Sequence, residues 1–316
     1  MEVEVFSKTV EKIKTEIHKD VVGQEDVIDN VIIAIIAGGN VLLEGVPGVG
    51  KTRLVRSLGK TLSLPFSRIQ FTPDLMPSDV TGTNIIEKDA EGKMKTVFQK
   101  GPIFANLILG DEINRATPKT QSAMLEVMQE HKVTIGNVTY PMAEPFFVLA
   151  TENPVEQDGT YPLPEAQMDR FMMRLSIGYP TREQEMRMVE LALQGKTSDK
   201  MEAVCNAEDI LFVRKEIQEV IVKENVLGYM TDIVKATRQE ERFVLGASPR
   251  ALLALVRASQ ARAFLQGRDF VKPDDVKAVA KQVLLHRFVL TAEARMQKAD
   301  VEKILLHLLS KVKVPV

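Results

Sequence analysis

Val41-Leu42-Leu43-Glu44-Gly45-Val46-Pro47-Gly48-Val49-Gly50-Lys51-Thr52 begins as an apolar run, opens into a glycine turn and closes on a lysine and a hydroxyl. The triplet Val41-Leu42-Leu43 reads as a short buried strand, and Lys51 to about Leu62 reads as a helix. Strand, glycine loop and helix, in that order, form the context in which such a loop holds phosphate. Backbone N–H groups at a helix N-terminus are preformed donors for a crowded anion. Gly45, Gly48 and Gly50 let the backbone approach phosphate more closely than a Cβ would allow. Lys51 supplies a mobile cation for the β- and γ-phosphates, and Thr52 supplies a hydroxyl for Mg²⁺. The expected ligands are therefore ATP and Mg²⁺, contacted by Gly45, Val46, Pro47, Gly48, Val49, Gly50, Lys51, Thr52 and Arg53.

Outward from this loop the same alternation continues. Ser67–Gln70, Leu107–Leu109, Phe146–Ala150 and Arg174–Ile177 are apolar runs too short for helices, with helical stretches such as Lys119–Glu130 between them. That pattern predicts an α/β fold with a mainly parallel five-stranded sheet covered by helices on both faces. Residues 1–19 and about 24–37 carry helical periodicity ahead of it. Two β-hairpins interrupt the pattern and read as insertions: residues 85–98 around Asp89-Ala90-Glu91-Gly92, and residues 132–140 around Gly136-Asn137, a dipeptide suited to a primed turn. Beyond Tyr179-Pro180 only helices are expected, at about 181–194, 207–222, 225–239, 249–266, 273–287 and 298–311, with breaks at Gly195-Lys196-Thr197-Ser198 and Gly246-Ala247. The organisation predicted is an α/β nucleotide-binding domain over 1–179 and an all-α domain over 180–316.

Five further residues fit the chemistry of the loop. Leu107–Leu109 runs through Gly110 into Asp111-Glu112, and an apolar strand ending in paired carboxylates is what a Mg²⁺ site beside the loop requires. Asp111 would hold the ion's water shell and Glu112 would polarise the attacking water, which points to hydrolysis. Asn153, just past the strand Phe146–Ala150, would sit in the crevice at the strand ends and orient water or touch the γ-phosphate. Arg170 reads either as a surface arginine paired to Asp169 or as an arginine finger reaching a neighbour's ATP. Arg250 follows Ser248 and Pro249 at a helix start, where a cation opposes the helix dipole, so an anion should offset it. The γ-phosphate and a surface ion pair are the two candidates.

Composition narrows the class. With 41 basic and 43 acidic residues the formal charge is −2, which argues against a strongly basic nucleic-acid binder. The one cysteine, Cys205, excludes an intrachain disulfide framework and fits a reducing cytosol; it reads as a half-buried helical thiol. The four histidines lack metal-ligand spacing. Met124, Leu125 and Met128 read as core at helical spacing. The N-terminus lacks the apolar centre of a signal peptide, and the most apolar stretch, Val31–Ala37, falls short of the roughly 20 residues that span a bilayer. A cytoplasmic location is the expectation.

Taken together, LLEGVPGVGKT, LGDEINRATPKTQSAMLEVMQE, VLATENPVEQDGTYPLPEAQMDRF and LGASPRA, in this order, resemble the AAA+ ATPases and specifically the MoxR family. The resemblance implies a ring, commonly a hexamer, with ATP between subunits. It implies Walker A at Gly45–Thr52, Walker B at Asp111-Glu112, sensor 1 at Asn153, the finger at Arg170 and sensor 2 at Arg250, acting within its own subunit or across the interface. Val22, Gly23 and Gln24 would lie near adenine. The hairpins would be the helix-2 and pre-sensor-1 inserts facing the pore, and the helical part a lid. The family also implies chaperone-like action with von Willebrand A-domain partners on metal-containing clients. Gly110 departs from the small residue, such as alanine, usual there, and a glycine is expected to loosen the strand. Competing readings are a chelatase-type motor driving metal insertion and a nucleic-acid motor or loader, the latter disfavoured by the absence of Trp. A non-hydrolysing nucleotide scaffold and a small-molecule kinase are both disfavoured by Glu112.

Overall fold

The computed structural model describes residues 3–46, 48–88, 92–153, 159–193 and 201–315. Pro47, the hairpin tip at Asp89-Ala90-Glu91 and the break expected at 195–198 lie outside these residues. The chain begins with helices α1 (Val3–Ile17) and α2 (Glu25–Ala37), then β1 (Val41–Gly45), α3 (Lys51–Thr61), β2 (Phe66–Gln70) and α4 (Pro77–Thr81). A hairpin follows, β3 (Gly82–Lys88) and β4 (Met94–Lys100), then β5 (Leu107–Asp111), α5 (Pro118–Glu130), a second hairpin β6 (Lys132–Ile135) and β7 (Val138–Pro141), β8 (Phe147–Glu152), α6 (Glu165–Met168) and β9 (Met173–Ile177).

Strand alternation makes the sheet a two-faced wall. Val41, Leu43, Leu107, Leu109, Phe147 and Leu149 enter one buried cluster, with α1, α2 and α3. Leu42, Ile108, Val148 and Ala150 enter the other, with Ile113, Met124, Leu125, Met128 and Phe171. The strand order is β2-β5-β8-β1-β9, and every neighbouring pair is parallel. All five carboxyl ends therefore share one edge. The register puts Ala150 level with both Leu42 and Gly110, so the segments leaving β1, β8 and β5 emerge side by side.

The hairpins form their own two-stranded sheets outside the wall. Gly136 has φ +61° while Asn137 does not turn left-handed, which matches a turn with glycine first rather than two left-handed residues. The hairpins touch: Phe98 of β4 stacks on Tyr140 of β7 with ring centroids 4.3 Å apart, and Phe104 meets both edge-on.

The C-terminal part comprises α7 (Arg182–Leu193), α8 (Ala207–Gln218), α9 (Glu224–Gln239), β10 (Phe243–Leu245), α10 (Pro249–Leu265), α11 (Pro273–Leu284), β11 (Val289–Leu290), α12 (Ala292–Met296) and α13 (Val301–Lys311). The expectation of helices alone needs correction. Arg-Phe-Val-Leu occurs at 242–245 and again at 287–290, and the two copies pair as the antiparallel ribbon β10–β11 with Phe243 stacked on Phe288 at 4.7 Å. Strands of two and three residues are too short for periodicity to reveal. Nor is this part a free-standing bundle: α10 and α8 share the buried cluster of α1 and α2, and Phe6 meets Phe264 at 5.9 Å. Cys205 lies in an extended segment ahead of α8 and is buried. Burial and Asp209 push its thiol up to about 12, so it stays protonated.

Candidate functional site

The glycine loop leaves β1 at the carboxyl edge of the sheet. Gly45 sits where a Cβ would come within 2.7 Å of the Ile177 carbonyl, so the first turn lies flat against the end of β9. Gly48 and Gly50 take φ +84° and +88°, and a Cβ on either would meet nothing within 4 Å. Here the left-handed backbone, not crowding, demands glycine, and the concavity stays open. Val46 and Val49 are half-buried beside it, and Thr52 is half-buried in the first turn of α3. Lys51 is 9% exposed, with Nζ donating to the Gly45 carbonyl at 2.6 Å and to the Glu152 carbonyl at 3.4 Å. The ammonium thus lies between the loop and the end of β8, held by carbonyls that a phosphate would outcompete electrostatically.

Two strands away, Asp111 ends β5 and Glu112 follows it. Asp111 is buried and accepts from Arg68 Nε and Nη2 at 3.1 and 2.6 Å and from Thr151 Oγ1 at 2.7 Å. The Thr151 oxygen in turn accepts the Glu112 N–H at 2.8 Å. Glu112 is left-handed at φ 57° and ψ 51°, a conformation costing a non-glycine residue about 1 kcal/mol. The bend turns its carboxylate back to Gln70 Nε2 at 2.9 Å and Arg115 at 3.2 Å. The glutamate is thereby held off the strand line, against the carboxyl end of β2. Arg68 and Gln70, alternate residues of β2, and Thr151 of β8 are the supports that sequence reading missed. For Arg68 and Gln70, polar side chains at i and i+2 flanking the buried Ile69 were the signal.

Asn153 follows β8 and is 4% exposed, buried between the ends of β1 and β5; Pro154 lies outside the described residues. Glu152, just before it, faces Glu44 in register on β1. Burial and the Glu44 carboxylate raise Glu152 to about 7, against the opposing pull of Arg174.

Val22, Gly23 and Gln24 form the connector into α2, with Gly23 and Gln24 both left-handed. Gln24 Nε2 reaches the Gly178 carbonyl at 3.4 Å, and a cleft of about 360 Å³ opens there beside Tyr179 and Gln184. Arg53 is turned away from the loop onto buried Asp20 at 2.7 Å, which also accepts from Ser57 Oγ at 2.7 Å. It anchors the connector.

Arg170 and Arg250 lie beyond this crevice, together in a cleft of about 290 Å³ where α5, the turn after α6 and α10 meet. Arg170 donates to the Leu125 carbonyl at 3.0 Å and does not pair with Asp169. Asp169 instead takes Ser248 Oγ at 2.9 and 3.0 Å, the buried Arg287 guanidinium, and Arg250 at 3.6 Å. Ser248 caps α10 by accepting the Ala251 N–H at 3.1 Å, with Pro249 in the first turn. In this structure the anion offsetting Arg250 is therefore Asp169.

Gly110 does not loosen its strand. It is buried, paired on both sides, and an added Cβ would come within 2.9 Å of Met124 Sδ and 3.3 Å of Phe71. The missing side chain makes room for the core above it.

The sheet order, the glycine loop after β1 and the acidic end of β5 define a P-loop ATPase with a lid. Residues 40–173 match the ATPase family associated with various cellular activities (AAA), and residues 235–306 match the AAA lid domain. Protein YeaC of Bacillus subtilis, itself uncharacterized, is 46% identical over 95% of this chain and 93% of its own length. Chaperone MoxR1 of Mycobacterium tuberculosis is 40% identical over 97% of this chain and 82% of its own. A crystal structure from Cytophaga hutchinsonii, provisionally described as an ATPase, superposes with TM-score 0.92 at 42% identity, covering 99% of this chain and 97% of that one. The chain belongs to the MoxR family of AAA+ ATPases. No helix among the described residues is long and apolar enough to cross a membrane.

Proposed function

We propose that the protein hydrolyses Mg-ATP at the interfaces of a homo-oligomeric ring, hexameric in the working state, and uses the cycle to remodel or mature protein partners. Residues 1–179 form the nucleotide-binding domain and residues 180–316 the lid. Gly45–Thr52 hold the triphosphate, with Lys51 on the β- and γ-phosphates, and Arg53 supports the loop through Asp20. Thr52 and Asp111 hold Mg²⁺, which would neutralise developing charge on the phosphates. Glu112 polarises the attacking water and Asn153 orients it. Val22, Gly23 and Gln24 border the adenine. Arg170 serves the neighbouring subunit's ATP, with Arg250 beside it. The partners are von Willebrand A-domain proteins and metal-containing clients in the cytoplasm, with chaperone-like action as the name of the mycobacterial relative suggests.

One observation carries the reading. The loop, the Asp111-Glu112 pair and Asn153 leave three adjacent parallel strands at one edge, whereas Arg170 and Arg250 share a different cleft. The hydrolytic groups and the transition-state cations are thus on separate surfaces, as a site completed by a second copy requires. The experiment is to purify Glu112→Gln protein with ATP, measure its mass in solution and identify what co-purifies. A ring carrying a protein partner is expected. A monomer with ATP bound would overturn the interface, and recovery of nucleic acid would overturn the class of client.

A further inference from the structure

Arg250 is followed on the same face of α10 by Leu253 and, two turns on, by Arg257. Leu253 is 60% exposed and Arg257 is exposed. Residues seven apart lie nearly one above the other on a helix. Both arginines open into the cleft that holds Arg170. The charges lining it are unbalanced: four guanidiniums, from Arg170, Arg250, Arg257 and Arg287, against the Asp169 carboxylate, with His131 at the margin. Asp169 is already engaged by Arg287 and Ser248, and Arg250 reaches it only at 3.6 Å. Arg257 makes no hydrogen bond or ion pair with any other described residue. An exposed arginine without an internal partner is usually a solvated charge. Three exposed or half-exposed arginines converging on one cleft across two sequence segments, with the single Asp169 carboxylate set against them, are a different matter, because an entering anion relieves their remaining repulsion.

We propose that Arg257 is a third phosphate-contacting arginine of the composite site, reaching the triphosphate bound by the adjacent copy alongside Arg170 and Arg250. The inference rests on the interface reading above and adds a residue to it. The ligand chemistry is a polyphosphate, since a planar guanidinium fork pairs two oxygens at once. The source is the neighbour's bound nucleotide, because this chain's own loop lies at the sheet edge and outside this cleft. Bound there, Arg257 would stabilise charge gathering on the β–γ bridging and terminal oxygens.

The test uses the full chain and four variants: Arg257→Ala, Arg257→Lys, Arg170→Ala and Lys51→Ala. Arg257→Ala should bind the fluorescent analogue mant-ATP as tightly as the parent and melt at the same temperature. Its kcat should fall at least about tenfold, with Arg257→Lys intermediate. Mixed with Lys51→Ala, which lacks nucleotide but keeps Arg257, it should regain activity at intermediate ratios. A purely structural residue would give no such complementation. If Arg170→Ala complements and Arg257→Ala does not, Arg257 has no role in trans while the interface stands. If neither complements, the interface reading itself fails. Loss of mant-ATP binding by Arg257→Ala would place the side chain at its own subunit's nucleotide and overturn the proposal, as would an unchanged kcat.

Discussion

Asp169 and Arg287 form an ion pair that joins the turn carrying Arg170 to the end of α11. Arg287 is buried, and it also donates to the carbonyls of Val283 and Phe171 at 2.7 Å each and of Asp169 at 3.1 Å. Asp169 also takes Ser248 at the start of α10 and lies near Arg250. His286 adds a second tie, with Nε2 to the Phe171 carbonyl at 3.0 Å, and burial holds its pKa well below the usual range, so the ring is neutral. The turn carrying Arg170 and the start of α10 and end of α11 are therefore mechanically one piece. A movement of the lid would move Arg170 with it.

Removing Asp169 leaves a buried guanidinium without its anion. Breaking one partner of a buried pair costs several kcal/mol, and partial exposure of Asp169 reduces that, so Asp169→Ala should lose about 3 kcal/mol by chemical denaturation. Arg287→Met added to Asp169→Ala should recover part of the loss. Strict additivity of the two single changes would show that the pair does not couple.

On the proposed assignment, the Glu112 carboxylate separates binding from hydrolysis. Glu112→Gln should bind mant-ATP with parental affinity and lose at least about a hundredfold in kcat, since a positioned general base contributes 10²–10⁴-fold. Lys51→Ala should instead lose nucleotide binding, because its ammonium lies where the triphosphate charge would gather. Hydrolysis at the parental rate by Glu112→Gln would remove that residue from the role of base.

Much of the site's layout is legible in the sequence. The loop, Asp111-Glu112 and Asn153 follow from strand ends marked by short apolar runs, because a strand buried on both faces has no polar alternative. What the sequence concealed depends on cross-strand register and on contacts between distant segments. Arg68 meets Asp111 across 43 residues, and Arg287 meets Asp169 across 118. Neither pair has a local signature. Arg250 marks the boundary between these cases: its helix start correctly demanded an anion, yet the identity of Asp169 came only from the fold. Arg53 went the other way, since its place after the loop said nothing of Asp20 lying beneath.

Glu152 should make stability depend on pH near neutrality. Its pKa rises from the ordinary carboxylate value to about 7 through burial and Glu44. The folded state then holds a proton that the unfolded chain has already released, so stability falls as pH rises between about 4.5 and 7. Glu152→Gln cannot ionise and removes this slope. The variant should match the parent near pH 4.5 and exceed it at pH 8 by about 1–3 kcal/mol, the upper figure being the full shift undiminished by solvent. Equal unfolding free energies for the two proteins at pH 8 would show that the Glu44–Glu152 pair carries no such penalty.

Gly110 distinguishes a loose backbone from a packing allowance. If the glycine served to let Asp111 and Glu112 move, Gly110→Ala would impair catalysis and leave stability intact or raised, since alanine restricts the unfolded chain. The contacts argue for the reverse. The new methyl would press on the flexible end of Met124 and on Phe71, both fully buried. Overpacking of a core costs about 1–3 kcal/mol, and a pliable thioether should keep alanine near the lower end. Gly110→Ala should therefore lose about 1 kcal/mol with kcat within about twofold of the parent, and Gly110→Val, whose branch cannot be accommodated by Met124 alone, should lose more than about 2 kcal/mol. Denaturation midpoints and steady-state ATPase rates measured on the same preparations decide between the two accounts. A large fall in kcat without loss of stability would restore the view that the carboxylates need a yielding strand.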